Sequence, residues 1–448
     1  MHSKLYLVAG LGKTGHSIAR YLSRRNCPFV AFDTRKQPQG LSEFNAEFPG
    51  IEVFLGKLPD ELYGQLTEII SSPGVALDEP SIQKAIDLGI PVVGDIECLA
   101  REITAPVIAI TGTNGKSTVT TLVGEMAKAA GFTTAVAGNI GSPVLDLLDD
   151  AVQYDLWVLE LSSFQLDLTY SLSPIAATIL NISPDHLDRH HHLEAYIQAK
   201  QQVYHQAKTI LYNRDDRQTL PSGQQSAQTV KLTSFGLDVS EEGHWGLITS
   251  ADENYLTYGQ EKFLSVDELK LKGRHNWQNA LAACALAKAA GISGSDRVSV
   301  LQHFAGLPHR SQWVRTMDGV DWINDSKGTN IGATLSAISG IGGSMRGKIV
   351  LIAGGQGKGA DFTELRAPMA EYVRSIVLIG EDADILEKAL ADVVHVIRAS
   401  SLDAAVNVAK SQAHSGDVVL LSPACASLDM FRDFNHRGDS FTAAVEAL

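Results

Sequence analysis

The sequence predicts an α/β protein of three domains, and three observations predict it. Its 448 residues exceed what one hydrophobic core holds, since domains commonly run to about 100–200 residues. Short apolar, β-branched runs alternate with helix-periodic segments along nearly the whole chain, the pattern of strands buried in parallel sheets. Composition changes twice, at a polar, turn-rich stretch over about residues 210–272 and again near Gly306-Leu307-Pro308. The expected division is therefore 1–95, 96–305 and 306–448. The first and last domains are expected to be Rossmann-like, and the central one to carry a parallel sheet around a phosphate-binding loop.

Each element follows in order. Residues 5–9, 29–32, 68–71 and 91–93 read as buried strands, with helices after Gly15 and from Ser81, a βαβ pattern. The strand at 107–110 leads through a glycine-rich turn into a helix reaching Ala130, and further strands fall at 156–159 and 176–180. The 210–272 stretch reads as a sheet appendage to the central domain, closed by an Ala-rich helix over 276–290. Strands at 322–324, 349–353, 375–379 and 418–421 then alternate with helices.

Bulk properties exclude several function classes. With 44% hydrophobic and 20% charged residues the chain has the balance of an ordinary globular protein. A formal net charge of −14 repels nucleic acid and anionic membrane, so anionic ligands need local donors. Cys27, Cys98, Cys284 and Cys425 lie far apart without a CxxC pair, which fits neither a disulfide framework nor a zinc site. A reducing cytoplasm, no cleaved signal, no membrane span and a monomer are expected.

Two glycine loops carry the chemistry. Gly10-Leu11-Gly12-Lys13-Thr14-Gly15 matches GxGxxG between a strand and a helix, with Asp33 about twenty residues on, where a ribose-binding acid would stand. Alone, this fits a nicotinamide enzyme, or glycines that merely allow tight packing. The second loop, Thr111-Gly112-Thr113-Asn114-Gly115-Lys116-Ser117-Thr118, is stronger. Its amides, the Lys116 ammonium and the Ser117 hydroxyl can hold a triphosphate and its Mg²⁺, although Ile110 replaces the first glycine of the strict Walker pattern.

The run TGTNGKS resembles the Mur ligases and folylpolyglutamate synthetases. So do Asn139-Ile140-Gly141, the segments beginning Glu160-Leu161-Ser162-Ser163 and Asn181-Ile182-Ser183-Pro184, Gly306 to Arg310, Asp325-Ser326-Lys327-Gly328-Thr329-Asn330, and Ser422 to Asp429. The resemblance covers essentially the whole chain and is closest to the subfamily that adds D-glutamate to UDP-N-acetylmuramoyl-L-alanine in cytoplasmic peptidoglycan precursor synthesis, and so in cell wall biogenesis, cell shape and division. It implies an acyl phosphate made with ATP and attacked by the amino acid. It reassigns the first loop from a dinucleotide to UDP, with Gly12, Thr14, Gly15, Thr34, Arg35 and Gly74 as contacts and Asn139 and Ser162 on the same substrate. It adds Asn279, Arg310, Asp325 and Lys327 to the ATP site, with Lys327 near the γ-phosphate. D-Glutamate would be held by His186, Thr329, Lys358, Ser427, Leu428 and Phe434. Lys116, Glu160, His186, Lys200, Lys327 and Arg310 would be catalytic.

Glu160 ends a buried strand, where α/β sheets carry their sites, and with Ser117 can supply the few protein oxygens Mg²⁺ prefers. The resemblance implies a second Mg²⁺ at His186 and Lys200, the latter carbamylated; by composition alone Lys200 is a solvated helix residue. His190, His191 and His192 are expected at the surface, and Cys425 in packing. Because the phosphate loop and Lys327 belong to different domains, closure over the substrates is expected to keep water from the acyl phosphate. Three alternatives stay open: another Mur-type ligase, a nucleotide-dependent oxidoreductase, and a non-catalytic nucleotide-binding module.

Overall fold

Strand β1 (Leu5–Ala9) is apolar at every position, and its neighbours β2 (Phe29–Asp33), β3 (Val53–Leu55), β4 (Leu66–Ser71) and β5 (Val92–Val93) complete a parallel sheet in the order β3-β2-β1-β4-β5. The chain leaves β1 toward β2 and returns to its other side through β4, so the crevice beyond their carboxyl ends is a topological switch point. The structure, a computed structural model, describes residues 5–38, 40–222, 230–251, 253–271, 273–343, 345–357 and 359–448, without the side chains of Leu187 and Asp188. Lys358, expected to bind the amino acid, lies outside the described residues.

A second sheet follows from β6 (Val107–Thr111), β7 (Thr134–Gly138), β8 (Leu156–Glu160), β9 (Ala176–Ile179), β10 (Thr209–Asn213) and β11 (Lys231–Phe235), in the order β11-β10-β9-β6-β8-β7. Strands β6 and β8 are buried at every residue, as an apolar run sandwiched between helix layers must be. By contacts the chain divides into two units, Met1–Ser234 with Ala285–Ser293, and Phe235–Cys284 with Gly294–Leu448. The first two sheets share the first unit because one apolar cluster runs from Val8, Ile18 and Leu22 through Ile96 and Leu99 to Ala109, Val144 and Leu145.

The second unit holds the antiparallel strands β12 (Trp245–Ser250), β13 (Glu253–Tyr258) and β14 (Glu261–Ser265), the appendage expected from the polar, turn-rich stretch. Its third sheet contains β15 (Gln312–Met317), β16 (Val320–Asn324), β17 (Ile349–Gly354), β18 (Val373–Ile379), β19 (His395–Arg398) and β20 (Val418–Leu421), ordered β15-β16-β20-β17-β18-β19. Only the β15–β16 pair is antiparallel there.

The α/β class and the three mostly parallel sheets agree with expectation. Strands β3, β7, β15 and β19 were not anticipated. Strands β3, β15 and β19 have no fully buried position, and β7, with the sequence TAVAG, is built of small residues, so none presents the dense apolar run that marks a central strand.

Candidate functional site

Beyond the carboxyl ends of β1, β2 and β4 opens a cavity of about 630 Å³, lined by Gly10, Gly12, Thr14, Asp33, Thr34, Arg35 and 72–75 on one side and by Asp95, 138–141, Pro143 and Gln165 on the other. Of the residues expected there, Gly12, Thr14, Thr34, Arg35, Gly74 and Asn139 line it. Gly15 and Ser162 do not. A Cβ on Gly15 would stand 1.8 Å from the Gly10 carbonyl oxygen, so this glycine lets the helix Lys13–Arg24 press against the loop. The Ser162 hydroxyl instead caps the helix Ser163–Leu166 in a reciprocal box with Gln165.

Asp33 is 2% exposed and accepts from the Leu11 amide at 3.0 Å, the Arg35 amide at 3.0 Å and the Arg35 guanidinium at 2.9 and 2.8 Å. Burial opposes its charge, but Arg35 and the two amides outweigh burial and hold the carboxyl below its usual range. The acid thus locks the glycine loop to the arginine that lines the cavity.

The phosphate loop joins β6 to the helix Lys116–Ala129, whose N-cap Gly115 has φ 83°, a left-handed conformation glycine adopts without strain. Asn181 stitches the loop in place: its Oδ1 accepts from the Asn114 amide at 2.8 Å, its Nδ2 donates to the Asn114 carbonyl at 3.0 Å, and its carbonyl accepts from the Thr113 amide at 2.9 Å. Ser117 and Thr118 are buried at the helix start. Lys116 Nζ donates to the carbonyls of Gly112 and Thr113, both at 2.8 Å.

Lys200 is 1% exposed rather than solvated. Its Nζ donates to the same Gly112 carbonyl at 2.9 Å and to Thr111 Oγ1 at 3.3 Å, and lies 4.5 Å from the centre of the Tyr196 ring. Burial, then the nearby Lys116 charge, push its pKa well below the lysine range. Glu160 ends β8 beside β6; its Oε1 accepts from Asn139 Nδ2 at 2.9 Å, and its Oε2 is buried without a partner. Asn139 therefore links the cavity to Glu160.

The segment after β9 places His186 at φ 53° with its ring 5.0 Å from that of Phe164. Its described polar neighbour is Asp185, at 3.7 Å. The expectation that all three histidines lie at the surface fails for His190, which is 8% exposed, donates or accepts at Ser163 Oγ (2.9 Å) and stacks on Phe164. The sequence run hid it because the helix Leu187–His190 turns that residue inward while His191 and His192 stay mostly exposed.

In the second unit, the loops after β16, β17 and β20 collect the remaining candidates. Asp325 is 8% exposed and accepts from the Ser311 amide at 3.0 Å and Ser422 Oγ at 2.8 Å; burial raises its pKa to about 6, partly offset by those bonds and the Arg310 charge. Lys327 Nζ sits 4.0 Å above the Phe434 ring, and the Thr329 amide donates to the Lys327 carbonyl at 2.7 Å. Ser427 is buried, Leu428 is 63% exposed, and burial pushes the Cys425 thiol up to about 12, consistent with packing. Asn279 Nδ2 donates to Asn276 Oδ1 at 3.1 Å.

Several residues escaped the sequence reading. Tyr196 precedes Lys200 by one helical turn, and its hydroxyl pairs with Thr113 Oγ1 at 3.1 Å; the i, i+4 spacing was the available signal. Gln165 stood three residues after Ser162, the spacing of a capping box. Arg437 is 1% exposed and bridges three loops, donating to Ser326 Oγ (3.0 Å), the Ser326 carbonyl (2.9 Å), the Cys425 carbonyl (3.2 Å) and the Gly354 carbonyl (3.5 Å). No local pattern marks it.

No group of three or more His, Cys, Asp or Glu that could hold a metal occurs among the described residues. The orphaned carboxylate oxygen on Glu160 fits Mg²⁺, which takes few protein ligands and completes its shell with phosphate and water. No helix of the described chain is long and apolar enough to cross a membrane.

Comparison with known proteins agrees with this arrangement. Three family models match along the chain: the Mur ligase MurD-like N-terminal domain over residues 4–94, the Mur ligase middle domain over 110–287, and the Mur ligase glutamate ligase domain over 309–425. A relative from Legionella pneumophila (strain Paris), named UDP-N-acetylmuramoylalanine--D-glutamate ligase, is 68% identical over 449 residues, all of both chains. A relative of the same name from Pseudomonas aeruginosa is 48% identical over 99% of this chain and 98% of its own. Among solved structures, a pseudomurein peptide ligase type C from Methanothermus fervidus (TM-score 0.59, 18% identity, 99% of each chain) and MurF from Acinetobacter baumannii (TM-score 0.60, 18% identity, 100% of this chain and 92% of that one) share the fold. A full-length match at such identity, together with models that tile the chain, leaves one assignment: the chain belongs to the Mur ligase family.

Proposed function

We propose that the chain joins the amino group of D-glutamate to the carboxyl of UDP-N-acetylmuramoyl-L-alanine, converting ATP to ADP and phosphate, in peptidoglycan precursor synthesis. The observation that carries this is a single continuous path in the first unit. The cavity that begins at the Asp33–Arg35 pair ends at Asn139, whose amide holds Glu160 beside the phosphate loop. An oxidoreductase needs no such second loop. The names of the 68% and 48% identical relatives support the same substrates.

On this reading Gly12, Thr14, Thr34, Arg35 and Gly74 hold the uridine diphosphate, and Asn139 the sugar-borne chain. A carboxylate is a poor acyl donor, so its oxygen attacks the γ-phosphorus of ATP and ADP leaves. The amine then attacks the acyl carbon, passes through a tetrahedral intermediate and expels phosphate. Gly112, Thr113, Asn114, Gly115, Lys116 and Thr118 cradle the triphosphate, Lys116 neutralising charge as it develops. Asn279, Arg310, Asp325 and Lys327 serve ATP as well. Thr329, Lys358, Ser427, Leu428 and Phe434, with His186, select D-glutamate; a cationic Lys358 would reject neutral amino acids.

Family membership carries the use of ATP, generally with Mg²⁺. Ser117 and Glu160 would hold one ion and His186 with Lys200 a second, supplying charge neutralisation for phosphoryl transfer. Lys200 would bind as a carbamate: its neutral amine adds to CO₂ and releases a proton, converting a buried cation into an anionic oxygen donor. The limits 1–95, 96–305 and 306–448 would be the uridine, ATP and amino-acid domains of a cytoplasmic monomer.

The test is phosphate release with UDP-N-acetylmuramoyl-L-alanine across D-glutamate, L-alanine, L-lysine and diaminopimelate. Turnover is expected with D-glutamate, and Lys116→Ala is expected to lower it by about 10²–10³-fold. Activity with L-lysine or L-alanine but not D-glutamate overturns the assignment. Lys200→Ala is expected to regain activity with short carboxylic acids, and intact mass at neutral pH to show one added CO₂; an unmodified, fully active enzyme overturns the carbamate.

A further inference from the structure

We infer that Asp95 is a specificity-determining residue of the cavity, accepting a hydrogen bond from a hydroxyl or amide N–H on the sugar portion of the ligand. The inference rests on the substrate reading above and adds to it a residue that no part of that reading uses.

Asp95 opens the helix Asp95–Ala100 and lines the cavity, yet is 4% exposed. Its Oδ1 has no hydrogen-bond partner. A buried carboxylate oxygen without a donor is an unsatisfied acceptor, and one on a cavity wall is satisfied by what enters the cavity. The rest of the carboxylate is held: the backbone N–H groups of Ile96 and Asp95 and the Gln165 side-chain amide donate to it. Gln165 is itself fixed, its Oε1 accepting from the Ser162 amide at 3.1 Å and Ser162 Oγ at 3.2 Å. The acceptor therefore stands on a preorganised support rather than on a mobile side chain.

Position decides what it can meet. Asp33 ends β2 and Asp95 follows β5, and in the order β3-β2-β1-β4-β5 these strands are three spacings apart, about 14 Å. The glycine loop after β1 and residues 72–75 after β4 lie between them. A nucleoside at Asp33–Arg35 and a diphosphate at the glycine loop would place the next unit, the sugar, at Asp95. Phosphate oxygens cannot donate a proton and are repelled by a carboxylate, so Asp95 also discourages the diphosphate from sliding past the glycine loop. Hydroxyl and acetamido N–H groups are the donors an amino sugar offers.

Calorimetric binding of UDP-N-acetylmuramoyl-L-alanine and of UDP to the full-length protein, with steady-state kinetics, tests this. Asp95→Ala is expected to raise Kd and KM for the sugar ligand about tenfold while leaving UDP affinity and the KM values for ATP and D-glutamate within twofold. Asp95→Asn, which keeps an acceptor oxygen and the volume, is expected to recover part of the loss and remains informative if the alanine variant does not fold. Equal loss for both ligands in either variant, or no loss, overturns the proposal. Failure of the wild-type protein to bind the sugar ligand while binding UDP overturns the substrate reading itself, and Asp95's role with it.

Discussion

Asp325 carries an electrostatic cost within the candidate site. Its carboxyl is buried, accepts from the neutral donors Ser311 and Ser422, and is pushed by burial up to about 6 from the usual 3.8 despite the nearby Arg310 charge. A folded-state value raised above the unfolded one means the native state binds the proton more tightly. That contribution is complete below about pH 4 and is lost as pH rises through about 6. Asp325→Asn does not titrate. Its unfolding free energy is therefore expected to gain about 3 kcal/mol on wild type between about pH 4 and 8, read from urea titrations at each pH. If Asp325 contacts ATP as proposed, ligase activity is expected to fall in the same variant, a trade-off of activity against stability. A pH-independent difference would show that the carboxyl is not destabilised by burial. Lys116 and Lys200 show a similar conflict, because two amines share the Gly112 carbonyl and the Lys116 charge adds to burial in lowering the Lys200 pKa.

At the scale of elements, the helix Lys13–Arg24 does two jobs with opposite faces. Its start packs on the first glycine loop through Gly15, and its end is ionically tied to the segment of the helix Val144–Leu148. Arg20 reaches Asp146 bidentately at 3.0 and 2.9 Å, Arg24 reaches Asp149 at 2.7 Å, and Arg25 reaches Asp149 at 2.9 Å and Glu102 at 2.8 Å. Exposed ion pairs contribute little singly, but the bidentate geometry and shared partners make this a network. Asp146→Asn with Asp149→Asn is expected to cost about 1–2 kcal/mol at low salt in denaturant unfolding, and much less near 1 M salt, where the screening length is about 3 Å. An unchanged midpoint at low salt would show that the apolar cluster alone holds these elements. The clasp was not legible in the sequence because its partners stand about 125 residues apart. The strand-loop-helix of the phosphate site was legible, because it is a local pattern with fixed spacing, whereas the equally local box of Ser162 and Gln165 was passed over for a substrate role at Ser162.

For the whole molecule, a net charge of −14 leaves no general attraction for a triphosphate or a uridine diphosphate, so binding depends on amides at helix starts and on a few placed cations. Saturating UDP-N-acetylmuramoyl-L-alanine at about 100 times its Kd is expected to stabilise the native state by about 2.7 kcal/mol, seen as a rise in Tm, with UDP giving a comparable gain at the same saturation. No shift with either ligand would argue against the cavity as their site. The sequence by itself determined the α/β class, the two glycine loops, the buried strand ending in Glu160 and the family, since these depend on period, spacing and residue type. Only the tertiary structure decided that Lys200 and His190 are buried, that Asn139 holds Glu160, that Arg437 ties three loops, and that Asp95 lines the cavity. Burial and pairing depend on which distant segments meet. That is set by packing of the sheets and helices, not by the residues on either side in the chain.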